Sequence, residues 1–168
     1  KFDIYNHIAR HGGGDVSGKR LQSYGSEGCW TEMQCDFFVE FDIPVLDELV
    51  KKQYTHKASV YSNARNCITT PGEFFLVPYG FRGRSVVVAA WLACFDGHKE
   101  VYLLGVDGTN SNGEADNTSA VQLNNVMTAY PSVKFVHVSD NIAPPDLWRN
   151  NRNFAQWKYS QFVSLCDI

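Results

Sequence analysis

The sequence lacks the features that mark several common classes of protein. The formal net charge is −3, and no run of Lys or Arg is longer than a pair, which argues against duplex nucleic acid as a partner. No apolar run approaches the roughly 18 residues of a membrane helix. The GxSxG elbow, the Walker-type phosphate loop and the HxH and HExxH spacings are also missing. These absences argue against a membrane protein, a serine hydrolase, a P-loop enzyme and a zinc site.

Cysteine is present but forms no CxxC pair. An odd set without that spacing favours reduced, structural thiols and a cytoplasmic location. A disulfide between Cys29 and Cys35 in a secreted protein is the alternative. The N-terminus at Lys1 has neither an apolar signal segment nor an initiator Met, which leaves open that sequence precedes it. The five cysteines are Cys29, Cys35, Cys67, Cys94 and Cys166.

The composition is that of a globular domain. Hydrophobic residues make up 44% of the 168 residues, charged residues 20% and aromatic residues 14%. A chain of this length can bury about two thirds of its unfolded surface, so we expect a single domain over residues 1–168. Within it, residues 2–9 are predicted to form a short strand, residues 15–35 show no clear hydrophobic period and are predicted to be irregular, and so most of residues 1–35 is predicted to be irregular. The aromatic tail at residues 147–168 is predicted to form a closing helix or arm.

Strand and helix patterns alternate along the middle of the chain. A parallel sheet needs such crossovers, so the sequence predicts an α/β fold with one mostly parallel, Rossmann-like sheet flanked by helices. The apolar run at residues 101–106 is typical of a central strand covered on both faces. The predicted strands cover residues 36–41, 56–61, 73–77, 101–106 and 133–138, and the predicted helices begin at Pro44 or cover residues 85–96 and 118–130.

Residues 79–107 carry the strongest functional signal, because a polar glycine loop, an apolar helix and a strand ending in Asp107 follow one another. A helix N-terminus offers N–H groups to a phosphate, and a carboxylate at a strand end can hold a sugar hydroxyl. Gly83 and Ser85 are therefore predicted phosphate ligands, and Arg82 and Arg84 can neutralise a diphosphate.

Each of these residues also has a plain structural interpretation. Ser85 can be an ordinary helix cap, and Arg82 and Arg84 can be solvated loop charges. Asp107 can be a turn-forming residue before Gly108. The loop residues Asn110 and Asn112 are better explained as turn residues than as ligands.

Further candidates lie at other strand ends. Asp42 follows the strand at residues 36–41, and a divalent cation accompanying a nucleotide diphosphate would find hard oxygen ligands in Asp42 and Asp107. Asn63 lies in the loop after the next strand, where it can be a ligand or a turn residue. Histidine is the usual general base, so His137 and His11 are the candidates for that role, and Asp107 is the second residue predicted to be catalytic together with His137.

A family resemblance follows from residues 83–107, which combine Gly83-Arg84-Ser85, an Ala-containing helix, and a Lys-Glu-Val-Tyr-Leu-Leu-Gly-Val-Asp strand. This pattern resembles the central motif of bacterial sialyltransferases and the related domain of unknown function 115 proteins. Those include motility-associated glycosyltransferases and an archaeal pterin pyrophosphokinase. The resemblance covers about residues 35–145. It implies a Rossmann-like fold that binds a nucleotide or nucleotide-sugar for group transfer, with Asp107 holding sugar or metal.

Two departures from that family pattern keep alternatives open. Residues 1–35 contain no Gly-Pro-Ser loop, and residues 108–132 contain no histidine. The alternatives are diphosphate transfer to a pterin-like alcohol, and a non-catalytic viral or accessory domain that keeps the fold for assembly. In each enzymatic case, the expected partner is a nucleotide-containing small molecule.

Overall fold

The structure is a computed structural model that describes residues 15–16, 19–110 and 112–166. It is a mixed α/β fold of parallel strands flanked by helices, which confirms the predicted fold class. The described residues divide into two compact units, the first ending at Ala89 and the second beginning at Ala90. The predicted strand at residues 2–9 and the candidate base His11 lie outside the described residues.

The first unit contains a parallel sheet of four short strands. They are β3 (Tyr24–Ser26), β4 (Phe37–Val39), β5 (Ser59–Ser62) and β6 (Phe75–Leu76), in that spatial order. In register, Gly25 pairs with Phe38, which pairs with Val60. Two strands of two residues each, β1 (Asp15–Val16) and β2 (Lys19–Arg20), precede this sheet in the chain and pair with each other in antiparallel orientation.

Helices α1 (Ile43–Lys51) and α2 (Ala64–Thr69) connect these strands. Pro44 occupies the first turn of α1, as predicted, because proline needs no N–H partner there. Buried side chains of α1, β4 and β5 meet in the core of the unit. Its buried members are Cys35, Phe38, Leu46, Leu49, Tyr54, Ala58 and Val60.

Helix α3 (Ser85–Phe95) agrees with its prediction within one residue, and the boundary between the two units falls inside it. Residues 87–94 are all buried, which explains their continuous apolar sequence. The helix ends as expected at Gly97, whose φ of +92° is one that glycine adopts without strain. The N–H of Gly97 donates to the Cys94 carbonyl at 3.0 Å, and that of His98 to Ala93 at 3.2 Å.

The second unit contains a parallel sheet of three strands, in the order β7 (Glu100–Leu104), β8 (Lys134–Val138) and β9 (Phe154–Trp157). Helix α4 (Asn117–Ala129) connects β7 to β8, and α5 (Tyr159–Cys166) follows β9. The central strand of this sheet is β8, so the prediction of a central position for residues 101–106 is wrong. The sequences of β7 and β8 are both largely apolar, so only the pairing of strands that are distant in sequence shows which of them is central.

Two other sequence predictions need correction. Residues 15–35 are not irregular, since they include β1, β2, β3 and a 3-10 helix at Glu27–Thr31. The tail contributes a strand, β9, as well as the closing helix α5. Both were hard to read because the strands are only two to four residues long and lie among polar residues. Within the described ranges, no helix is long and apolar enough to cross a membrane.

Candidate functional site

The carboxyl ends of β4 and β5 are joined by a network of polar side chains. The Ser62 hydroxyl donates to the Glu40 carbonyl at 2.7 Å. The Asn66 amide donates to the Phe41 carbonyl at 3.1 Å and to the Ser62 hydroxyl at 3.0 Å. Ser62 and Asn66 are both buried, so these bonds satisfy polar groups that water does not reach. The network fixes the ends of two adjacent parallel strands, where α/β proteins bind ligands.

Glu40, whose backbone carbonyl belongs to this network, also carries a buried carboxyl group. The residue is 7% exposed, and its Oε1 atom accepts hydrogen bonds from the N–H groups of Phe41 at 2.8 Å and Asp42 at 3.0 Å. Burial raises the pKa of Glu40 because it penalises the charged form, and the two N–H donors offset only part of that effect. A buried carboxyl with a raised pKa at a strand end is a candidate for function that sequence reasoning missed.

The structure brings two predicted ligands, Asp42 and Asn63, to neighbouring strand ends. Asp42 is exposed and directly precedes α1, and its carboxylate makes no capping hydrogen bond to that helix. Asn63 is also exposed, and its side-chain oxygen accepts from the Asn66 N–H at 2.9 Å. Asn63 is therefore a helix cap, which agrees with its structural interpretation, while Asp42 presents its carboxylate at the surface.

The predicted phosphate ligands lie at the start of α3. Ser85 is the first residue of the helix, and the Arg84 carbonyl accepts from the N–H groups of Val87 at 2.9 Å and Val88 at 3.0 Å. The first N–H groups of a helix have no partner within it, so this terminus has the geometry that the prediction requires. Arg82 and Arg84 are exposed and Gly83 is half-buried, and phosphate binding by these residues stays a prediction.

Asp107 follows β7 and makes a turn with Thr109. Its Oδ1 atom accepts from the Thr109 N–H at 3.1 Å and from the Thr109 hydroxyl at 2.6 Å. The turn continues through Asn110, whose side-chain oxygen accepts from the N–H groups of Asn112 and Glu114 at 3.0 Å each. Asn110 is therefore a turn residue, and Asp107 shapes the same loop while keeping its second oxygen for other contacts.

His137 lies in the interior of the second unit, one residue before the carboxyl end of β8. It is 1% exposed, and its ring meets that of Trp148 edge to face, with the centroids 6.1 Å apart. No described group bonds its Nδ1 atom. Burial lowers the pKa of His137, while the Asp107 carboxylate and a hydrogen bond with the Val106 backbone act in the opposite direction. The two predicted catalytic residues are thus close enough to interact electrostatically.

A cleft of about 250 Å³ lies at the carboxyl ends of β8 and β9. Several of its polar groups are used locally, since Asp140 accepts from the Tyr159 N–H at 3.0 Å and Gln161 from the Lys158 N–H at 2.9 Å. Sequence reasoning missed this cleft because it depends on the unpredicted strand β9. Its lining residues are Ser139, Asp140, Gln156, Trp157, Lys158 and Gln161.

Comparisons with protein-family models, curated proteins and solved structures returned no match. The function must therefore be argued from the chain's own residues. Among the residues that the structure describes, no group of three His, Cys, Asp or Glu side chains is placed to hold a metal ion. Asp42 belongs to the first unit and Asp107 to the second.

Proposed function

We propose that the chain binds a nucleotide or nucleotide-sugar at the carboxyl ends of its parallel strands, as a glycosyltransferase-like protein. The observation that carries this proposal is the acidic character of those ends in each sheet. Glu40 and Asp42 follow β4, whereas Asp107 follows β7 and Asp140 follows β8. Carboxylates at these positions suit the hydroxyl groups of a ribose or another sugar, which donate hydrogen bonds to them.

The phosphate groups of a nucleotide need positive charge and N–H donors, and the start of α3 has both. Helix α3 has 11 residues, long enough for its dipole to favour an anion at the N-terminus. The exposed Arg82 and Arg84 add positive charge at that end. In the proposed reaction, these groups stabilise the departing nucleotide phosphate, and a base accepts the proton of the acceptor hydroxyl.

Asp107 and His137 are the two candidates for the base. Asp107 is half-buried and reaches solvent, but His137 is buried under Trp148. A general base must come within hydrogen-bond reach of the proton that it abstracts. His137 can act only if its surroundings open when the substrate binds, whereas Asp107 needs no such change.

A thermal-shift panel of CMP-, UDP- and GDP-sugars and ATP tests the binding proposal. A ligand at 100 times its Kd stabilises the folded state by about 2.7 kcal/mol, which raises the Tm by roughly 5–10 °C for a chain of this size. We expect one nucleotide-sugar to give such a shift, and Arg82→Gln to reduce it. Arg152→Gln is the matched control, since Arg152 is also exposed but precedes β9 and so lies at the amino end of that strand.

The other outcomes separate the alternatives. Stabilisation by ATP alone would exclude glycosyl transfer and favour diphosphate transfer to a pterin-like alcohol. A non-catalytic role in assembly is the second candidate function, and the burial of His137 favours it. That role would be supported if no nucleotide changed the Tm.

A further inference from the structure

Two cysteines of the first unit lie side by side without a disulfide between them. The Sγ atoms of Cys29 and Cys35 are 3.8 Å apart, although five residues separate the two in sequence. Cys29 belongs to the 3-10 helix at Glu27–Thr31 and is half-buried, whereas Cys35 precedes β4 and is 2% exposed. A disulfide needs a sulfur separation of about 2.05 Å, so a small movement of the 3-10 helix is enough to form one.

Gly25 makes this approach possible. A Cβ atom at that position would lie 2.5 Å from the Cys35 Sγ atom and 2.7 Å from the Cys29 Sγ atom. Real Cβ atoms do not come so close, so the two sulfurs occupy space that any other residue at position 25 would fill. Gly25 lies in β3 and pairs with Phe38 of β4. The sheet itself therefore provides the space for the sulfur pair.

The protonation of the two sulfurs is unequal. The pKa of Cys35 is lowered chiefly because Cys29 donates a hydrogen bond to its sulfur. Burial acts in the opposite direction, and a hydrogen bond from the Tyr54 hydroxyl lowers the pKa further. The same hydrogen bond raises the pKa of Cys29. Tyr54 also accepts a hydrogen bond from the Cys35 N–H at 3.0 Å, which holds its hydroxyl at the sulfur. Both shifts arise from the contact between the two sulfurs, and thiolate is the nucleophile in disulfide chemistry.

We propose that Cys29 and Cys35 form a redox-active dithiol that exchanges with low-molecular-weight disulfides to give an intramolecular disulfide. In the first step, the half-buried Cys29 loses its proton to water, and its thiolate attacks one sulfur of the small disulfide. That step forms a mixed disulfide and releases one small thiolate. Cys35 then loses its proton to water, and its thiolate attacks the Cys29 sulfur, which releases the second small thiolate. The two released thiolates take up two protons from water. Two electrons pass from the protein thiols to the small disulfide, which is reduced to two thiols.

The test equilibrates the reduced chain with mixtures of reduced and oxidised glutathione, then alkylates the free thiols and maps peptides by mass spectrometry. We expect Cys29 and Cys35 to lose their reactivity together and to appear in one cross-linked peptide that lacks two hydrogens. Half of the folded chain should be oxidised at a ratio of oxidised to reduced glutathione at least about tenfold lower than the same chain in urea requires, because the fold holds the sulfurs together. Cys67 should give no intramolecular product.

Variants sharpen the test. Cys29→Ser should abolish the cross-linked peptide, whereas the control Cys67→Ser should leave it unchanged, since Cys67 lies in α2 and is also half-buried. The comparison with urea uses the wild-type chain and so remains informative if Cys29→Ser does not fold. The proposal is wrong if both thiols stay reduced in excess oxidised glutathione. A stable mixed disulfide at Cys29, or equal behaviour in folded and urea-unfolded chains, would also overturn it.

Discussion

Asn66 holds together the strand ends of the first candidate site, so its substitution should destabilise the fold. The amide donates two hydrogen bonds, to the Phe41 carbonyl and the Ser62 hydroxyl, and only 5% of the residue is exposed. Asn66→Ala removes both donors and leaves a buried carbonyl without its partner. We expect this change to lower the free energy of unfolding while the chain still folds.

The size of the effect follows from those two bonds. Each side-chain hydrogen bond contributes about 0.5–1.5 kcal/mol, and the carbonyl left unpaired adds a desolvation cost, so we expect a loss of about 2–3 kcal/mol. Ser62→Ala removes the bond to the Glu40 carbonyl and one of the Asn66 contacts. Because Ser62 and Asn66 share a network, the double variant should lose less than the sum, with a coupling energy of about 0.5–3 kcal/mol.

Urea denaturation followed by far-UV circular dichroism measures these changes. With a slope of about 2 kcal/mol per M, Asn66→Ala should lower the midpoint by about 1 M and leave the slope unchanged. Asn125→Ala is the control, since Asn125 is exposed on α4, and should stay within about 0.5 kcal/mol of wild type. A loss for Asn66→Ala no larger than that of the control would refute the argument, as would additivity with Ser62→Ala.

Three further predictions concern other residues. Glu40 has a folded pKa above its ordinary 4.5, so its contribution to the free energy of unfolding is greatest below pH 4.5 and is lost as the pH rises through the folded value. Glu40→Gln should therefore be more stable than wild type at pH 7 and match it below pH 4.5, and parallel pH profiles in urea denaturation would contradict this. Asn153→Ala should cost about 1–3 kcal/mol in the same assay, because its amide donates to the carbonyls of Met127, Tyr130 and Val133 at 2.9–3.1 Å, and an unchanged midpoint would contradict it. Gly25→Ala should cost about 1–3 kcal/mol by overpacking, and a variant as stable as wild type would show that the sulfurs can move aside.

Some of the fold could be predicted because its signals are local. Helix α3 has a serine at its start, a continuous apolar sequence and a glycine just beyond its end. Strand β4 and helix α1 were predicted from an aromatic run followed by Pro44. In each case, neighbouring residues carry the information, and the structure agrees within a few residues.

The remaining features depend on residues that are distant in sequence. The burial of Glu40 is accompanied by bonds from Ser62 to the Glu40 carbonyl and from Asn66 to the Phe41 carbonyl, and both donors lie more than 20 residues further along the chain. Strand β9 is short and follows a polar stretch, and it pairs with β8 through residues about 20 positions apart. No local hydrophobic periodicity could predict the burial of Glu40 or the pairing of β9. The asymmetry between Cys29 and Cys35 likewise depends on Tyr54, 19 residues after Cys35.

The most direct test of the proposed function is to locate the bound nucleotide by NMR. Backbone amide shifts of the 18.9 kDa chain would be recorded during titration with the nucleotide-sugar that raises the Tm most. The account predicts that the largest changes occur at the start of α3 near Ser85 or at the carboxyl ends of the parallel strands, around Glu40 and Asp42 in the first unit or around Asp107 in the second. Changes confined to other surfaces, or no saturable change with any nucleotide, would contradict it.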